Sequence, residues 1–164
     1  MLLFTMIDNN FKEFPMNWES VLHNPLLQNL PFKIELNKWG QILMSPASNI
    51  DGKLQFEIGT LIDQQKKSGK IIMECSIETS DGVKVADVAW ASDDFIRTYG
   101  YETPYKLAPE ICVEIISPSN SKAEIAEKIQ LYLAKGAHEV WTCDSEDSIL
   151  YFSSSGQLKK SNEI

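Results

Sequence analysis

The chain has 164 residues, 43% hydrophobic and 23% charged, with 8 glycines and 7 prolines. That balance excludes wholesale disorder and collagen-like repetition, and the length suits one domain with a sizeable core. Lys and Arg number 15 against 23 Asp and Glu, a formal charge of −8, so no net basic field draws in a polyanion and avid nonspecific nucleic-acid binding is disfavoured. Arg97 is the single arginine, which leaves lysines, acting as point charges, to make phosphate contacts.

The N-terminus, Met1 to Asp8, has no basic leader and too short an apolar run for a signal segment, and reads as cytoplasmic. No stretch approaches the roughly 18 apolar residues of a membrane span, so no membrane partner is expected. Asn17 to about Leu30 reads as a short helix interrupted near Pro25, the end of a helical extension over 1–30. The runs Phe32-Lys-Ile-Glu-Leu and Gln41-Ile-Leu-Met, parted by Lys38-Trp-Gly40, predict a hairpin. Leu54, Ile58, Leu61 and Ile62 then form a stripe of helical period, predicting an amphipathic helix between Asn49 and Ser68 closed by Gly69.

Lys70 to Ile77 and Val83 to Ala91 flank the hairpin signal Asp81-Gly82. A polar and aromatic stretch, weakly helical near Asp93 to Tyr99, leads into Ile111 to Ile116, which has the pattern of a central strand covered on both faces. Ser121 and Glu124 fit a capping box, followed by the stripe Ile125, Ile129, Tyr132 and Leu133, with Gly136 ending the helix. Glu139 to Cys143 and Ile149 to Phe152 read as two further strands around the acidic turn 144–147, and the polar tail permits a last short hairpin. The core is expected at about 32–152 of one domain spanning 1–164. Cys75, Cys112 and Cys143 are widely spaced and read as buried hydrophobes in a reducing compartment; His23 and His138 lack zinc spacing.

Two carboxylates stand inside sheet strands. Strict alternation groups Asp87 with Val83, Val85 and Ala89, and Glu114 with Cys112 and Ile116. Burying an unpaired carboxylate costs several kcal/mol, so each requires a cation, hydrogen bonds or a proton. Mg²⁺, which takes one or two carboxylates and keeps several waters, suits such a pair; a structural ion pair or a strand-end cap suits it equally. Lys128 sits at the margin of the 121–136 stripe, where its stem can cross the core and deliver an ammonium near Glu114. The alternative for Lys128 is a solvated i,i+4 pair with Glu124.

Ala86-Asp87-Val-Ala, the run from Ala108 to Ser119 containing Val-Glu114-Ile-Ile-Ser-Pro118, then Lys128, Tyr132, Gly136 and Glu139-Val-Trp141 resemble the Uma-two family of restriction-endonuclease-like proteins. The likeness extends back through Ile34-Glu-Leu and Gly40 to Ser48, covering about Phe32 to Asp144. It implies an α/β fold, an α+β mixed sheet flanked by helices of the PD-(D/E)XK, restriction-endonuclease-like type. It also matches Asp87 to the aspartate of the PD motif and Glu114 to the second acid. The lysine usual two residues after that acid is Ile116 here, and Lys128 is the family-matching substitute. Glu35 matches a further acidic position, an outer ligand on the resemblance or a solvent-facing acid of an alternating strand, and Tyr132 an accessory one. Two positions depart from the family: Ala86 stands where it has proline, and Asp51-Gly52 where many relatives have His-Gly.

The expected function is therefore metal-dependent cleavage of nucleic-acid phosphodiester bonds, with DNA as the substrate and Mg²⁺ or Mn²⁺ held by Asp87 and Glu114. Lys128 would orient a water or offset phosphate charge. The rival reading is a catalytically inactive, nuclease-like scaffold or partner-binding domain, favoured by the net charge and by Asp51. A third reading is self-association: the resemblance implies a homodimer, since cutting two strands takes two sites, although no symmetric interface is legible.

Overall fold

The structure is a computed structural model that describes residues 2–4 and 15–164. The part of the expected 1–30 helical extension that falls on residues 1 and 5–14, with the leader-free stretch around Asp8, lies outside the described residues. Within the rest of that stretch, Leu2–Phe4 is a strand (β1), Trp18–His23 a helix (α1) and Pro25–Leu27 one 3-10 turn. Asn17 and Asn24 start the last two by accepting first-turn amides.

Phe32–Leu36 (β2) and Ile42–Pro46 (β3) form the expected antiparallel hairpin, and β1 adds to β3, giving a three-stranded sheet. Asn49–Lys66 is the long helix α2. Lys70–Thr79 (β4) and Gly82–Ala91 (β5) pair as the second hairpin; Asp93–Tyr99 is α3. Ile111–Ile115 (β6), Lys122–Ala134 (α4) and Glu139–Cys143 (β7) make a strand–helix–strand unit in which β6 and β7 run parallel. Ile149–Ser153 (β8) and Gly156–Leu158 (β9) close a six-stranded mixed sheet in the order β4-β5-β6-β7-β8-β9.

That sheet has a helix layer on each face, which is why β6 and β7 are apolar on both sides. Leu54, Ile58 and Ile62 of α2 pack on Val88, Trp90, Ile111, Val113 and Trp141. Ile125, Ile129 and Tyr132 of α4, with Phe95 of α3, pack on the opposite face against Ala89, Cys112 and Val140. A smaller core of Val21, Leu36, Ile42 and Val83 ties the three-stranded sheet to β5. Gly82, with φ +77°, permits that junction: a Cβ there would come within 2.4 Å of the Leu36 carbonyl oxygen. All three cysteines are buried and free.

Three local expectations are corrected. Helix α2 ends at Lys66 with Lys67 in the left-handed conformation, and Gly69 serves instead to let the chain pass the Ala91 carbonyl, 2.5 Å from where a Cβ would sit. At the start of α4 the Ser121 hydroxyl caps the Glu124 amide as expected, but the Glu124 carboxylate turns to the Asn120 side chain. The reciprocal box occurs on α2, where Ser48 and Asp51 cap each other.

The third correction concerns the pleat of β5. The pairs Ile72↔Ala89 and Cys75↔Ala86 both face α4, whereas Met73↔Val88 faces α2. Strict alternation would give Cys75 and Met73 one face, so the strands reverse sides between them. Glu74, with φ +52°, makes the reversal on β4, and Asp87 stands opposite it on β5. Asp87 therefore does not share a regular face with Val83, Val85 and Ala89. The reversal lies where β5 and β6 part, since their pairing ends at Val88↔Val113.

Candidate active site

At the parting of β5 and β6 the backbone N–H of Ile115 loses its ladder partner, and the Asp87 carboxylate supplies one: Ile115 N donates to Asp87 Oδ2 at 2.7 Å. A strand-end cap is thus one part of what Asp87 does. Its other oxygen faces a cleft at the C-terminal end of β6. Glu114 reaches the same cleft from β6, on the parity expected with Cys112 and Ile116, which puts it against α4.

Beside the Ile115 N–H, the side chains of Tyr132, Lys128 and Lys33 hold the two acids. Tyr132 Oη donates to Glu114 Oε1 at 2.7 Å and Lys128 Nζ to Glu114 Oε2 at 2.9 Å. Lys128 also bonds Glu35 Oε1 at 2.8 Å, an oxygen that accepts the Val85 backbone N–H as well. Lys33 Nζ lies 2.9 Å from Asp87 Oδ1 and 3.4 Å from Glu114 Oε2, joining the carboxylates through one ammonium. The five expected residues, Glu35, Asp87, Glu114, Lys128 and Tyr132, thus converge. Lys128 is not in a solvated pair with Glu124; its side chain is only 7% exposed.

Lys33, Gln55 and Glu74 were not singled out from sequence. Gln55 of α2 donates to Glu74 at 2.7 Å and approaches Asp87 at 3.5 Å, linking the residue of the pleat reversal to the site. Lys33 carried a usable signal. It precedes Glu35 by two positions in β2, so the pleat gives both one face, while Ile34 and Leu36 join the small core on the other.

The electrostatics follow from burial and pairing. Burial alone would raise the Glu35 carboxyl, but Lys128 and Lys33, with hydrogen bonds from Lys128 and Val85, outweigh it and hold the group at about 2. Burial dominates for Glu114 and pushes its carboxyl up; Lys128 and Lys33 oppose the shift, and Asp87 and Glu35 add to it. Burial would lower both lysines, yet the surrounding carboxylates keep Lys33 well above and Lys128 above the ordinary value. Burial, then the Glu114 charge, drives the Tyr132 phenol well upward, so it remains a donor. Beyond these groups, Asp51, Glu74 and Glu124 also border the cleft, which sets six acids against two lysines.

The donor set has the chemistry of a divalent-ion site. Asp87 Oδ1 and Glu114 Oε2 are hard oxygen donors that a single cation can reach at once, as the Lys33 ammonium does. Among the described residues no group of three or more His, Cys, Asp or Glu is placed to hold a metal, and a carboxylate pair with waters is the donor set that Mg²⁺ accepts. Asp87 and Glu114 would hold such an ion, with waters completing its shell.

A mixed sheet between helix layers, with acids from adjacent strands meeting at the end of the central one, defines a nuclease-like protein of the restriction-endonuclease-like fold. The chain belongs to the Uma2 family, described as putative restriction endonuclease, whose model matches residues 18–161. Among solved structures it is similar to a putative nuclease belonging to DUF820 from Anabaena variabilis ATCC 29413. That likeness has a TM-score of 0.66 and 20% sequence identity, and covers 85% of this chain and 80% of that one. No curated protein matches. Among the described residues no helix is long and apolar enough to cross a membrane.

Proposed function

We propose that this protein is a metal-dependent phosphodiesterase that cleaves nucleic acid, with DNA as substrate. The observation that carries the proposal is the meeting of Asp87 and Glu114 on one cation, Lys33, in a cleft that Lys128 also lines. Asp87 and Glu114 would hold Mg²⁺ or Mn²⁺. Such an ion, when bound, polarises a phosphoryl oxygen and lowers the pKa of a coordinated water.

The chain's own residues supply orientation and charge. Asp87 is fixed by the Ile115 N–H, and Glu114 by Tyr132 and Lys128, so both carboxylates are held toward the cleft before any ligand arrives. Lys128, kept cationic by Glu114 and Glu35, sets a positive charge beside the position of a bound phosphate. Glu35 is a positioning residue that acts through Lys128. A cleft richer in acids than in lysines repels a polyanion until cations neutralise it, which favours metal dependence over unaided phosphate binding.

Residues 1–164 would act as one nuclease-like unit in the cytoplasm, and cutting both strands would pair two copies as a homodimer. Mixed DNA and RNA substrates incubated with Mg²⁺ or Mn²⁺ test the reading: cleavage by the wild type is expected to vanish in Asp87→Ala and in Glu114→Ala. Cleavage unchanged by both substitutions ends it.

One observation favours the second reading, an inactive scaffold that binds a partner. Lys33 already bridges both acids with one ammonium. On that reading Mn²⁺ leaves the melting temperature flat, whereas a rise abolished by Asp87→Ala supports the phosphodiesterase.

A further inference from the structure

Lys33 differs from Lys128 in how it is held. Lys128 lies between two fixed carboxylates and is 7% exposed. Lys33 extends from β2 of the smaller sheet to the cleft, its side chain 15% exposed. It touches Asp87 Oδ1 at 2.9 Å and Glu114 Oε2 at 3.4 Å, the latter an oxygen that Lys128 also holds at 2.9 Å; the other oxygen of each carboxylate is taken by Ile115 N and Tyr132 Oη.

A magnesium ion binds oxygen at about 2.0–2.1 Å. An ion at that distance from both oxygens needs them to close in from the 2.9 and 3.4 Å they keep to the Lys33 ammonium, and it would take the gap that the ammonium now fills, so the two cations compete for it. The exchange is favourable in charge. It puts a divalent ion in place of a monovalent one amid Glu35, Asp87 and Glu114, in a cleft where six acids face two lysines. It is also sterically simple, because a lysine head on a flexible stem can move while its strand stays fixed.

We propose that Lys33 is an exchangeable internal cation: its ammonium closes the Asp87–Glu114 pair in the metal-free protein and leaves it when a divalent ion binds. This rests on Asp87 and Glu114 being the metal-holding pair. Lys33 thereby sets the metal affinity of the site and protects the apo protein from repulsion between two buried carboxylates.

The test is a calorimetric titration of Mn²⁺ into the full chain, with melting curves in EDTA and in saturating Mn²⁺. Lys33→Gln is expected to bind Mn²⁺ about tenfold or more tightly than wild type, to melt lower than wild type in EDTA, and to recover in Mn²⁺. Lys33→Arg keeps the cation and guards against a Gln variant that fails to fold; it should bind Mn²⁺ no more tightly than wild type. Tight binding by Lys33→Gln with none by wild type supports the exchange in its strongest form. Equal Mn²⁺ affinity in wild type and Lys33→Gln, or tighter binding by Lys33→Arg, overturns the exchange while leaving the metal site standing. Absence of binding to both wild type and Lys33→Gln overturns the metal reading itself, and the exchange with it.

Discussion

Asp87 accepts the backbone N–H of Ile115 at 2.7 Å, so a side chain takes over the β5–β6 ladder beyond Val88↔Val113. The same carboxylate offers its second oxygen to the cleft, which couples strand geometry to the site. Asp87→Ala leaves a buried amide unpaired, a loss of about 1–3 kcal/mol. Asp87→Asn keeps an amide oxygen for Ile115 but removes the charge. Urea unfolding should therefore separate the two variants, Asn lying closer to wild type in stability, while both lose cleavage. Equal destabilisation by Asn and Ala contradicts the capping role.

The lysine that joins Glu35 to Glu114 has no solvent to fall back on. Removing one partner of a buried ion pair typically costs about 3–5 kcal/mol, because the other charge stays buried and uncompensated. Lys128→Met is expected to lose that much. Glu35→Gln in the same chain removes one of the stranded acids, so the double variant should lose less than the sum of the single losses. A double-mutant cycle in urea measures the difference; strict additivity would show that Lys128 and Glu35 do not interact.

Much of this arrangement was legible in the residues. Helix α2, the Asp81-Gly82 hairpin, the two-sided strand β6 and the capped α4 follow from periodicity and turn chemistry, because burial demands those patterns of any chain that folds this way. Glu114 was placed on the right face because β6 is regular. Asp87 was not, because one left-handed residue, Glu74, on the neighbouring strand reverses the pleat, and nothing in its residue type announces φ +52°. Lys33 was hidden for another reason. In a half-buried strand a lysine reads as solvated, and only the docking of β2 beside β5 gives it two carboxylates. Asp51, a departure from the family that bears on phosphate contact, is a helix cap here.

Tyr132 is completely buried and donates its only proton to Glu114. Tyr132→Phe keeps the ring in the α4 core but strands a carboxylate oxygen. Hydrogen bonds to charged groups contribute about 1.5–3 kcal/mol, so a loss of that size is expected in thermal or urea unfolding. With less support for its anion, Glu114 should titrate still higher, and the acid limb of any cleavage-versus-pH profile should move upward. A profile fixed in pH despite the stability loss would confine Tyr132 to packing.

Acid stability provides a direct reading of Glu35. Its folded carboxyl titrates at about 2 against an ordinary 4.5, so the folded state holds that proton less tightly than the unfolded one. The resulting stability is complete above about pH 4.5 and disappears as pH falls towards 2. At roughly 1.4 kcal/mol per pH unit it amounts to on the order of 3 kcal/mol. Glu114 has the opposite sign. Its raised carboxyl prefers the proton in the folded state, so it costs stability as pH rises above its ordinary value and cannot account for weakening on acidification. Urea unfolding of wild type and Glu35→Gln between pH 3 and pH 7 separates the two effects. The variant should start lower at neutral pH and lose less on acidification, so that the gap between the curves narrows to roughly 1.4 kcal/mol at pH 3 and would close only towards pH 2. Parallel curves would mean that the Glu35 carboxylate gains nothing from Lys128 and Val85 in the folded chain.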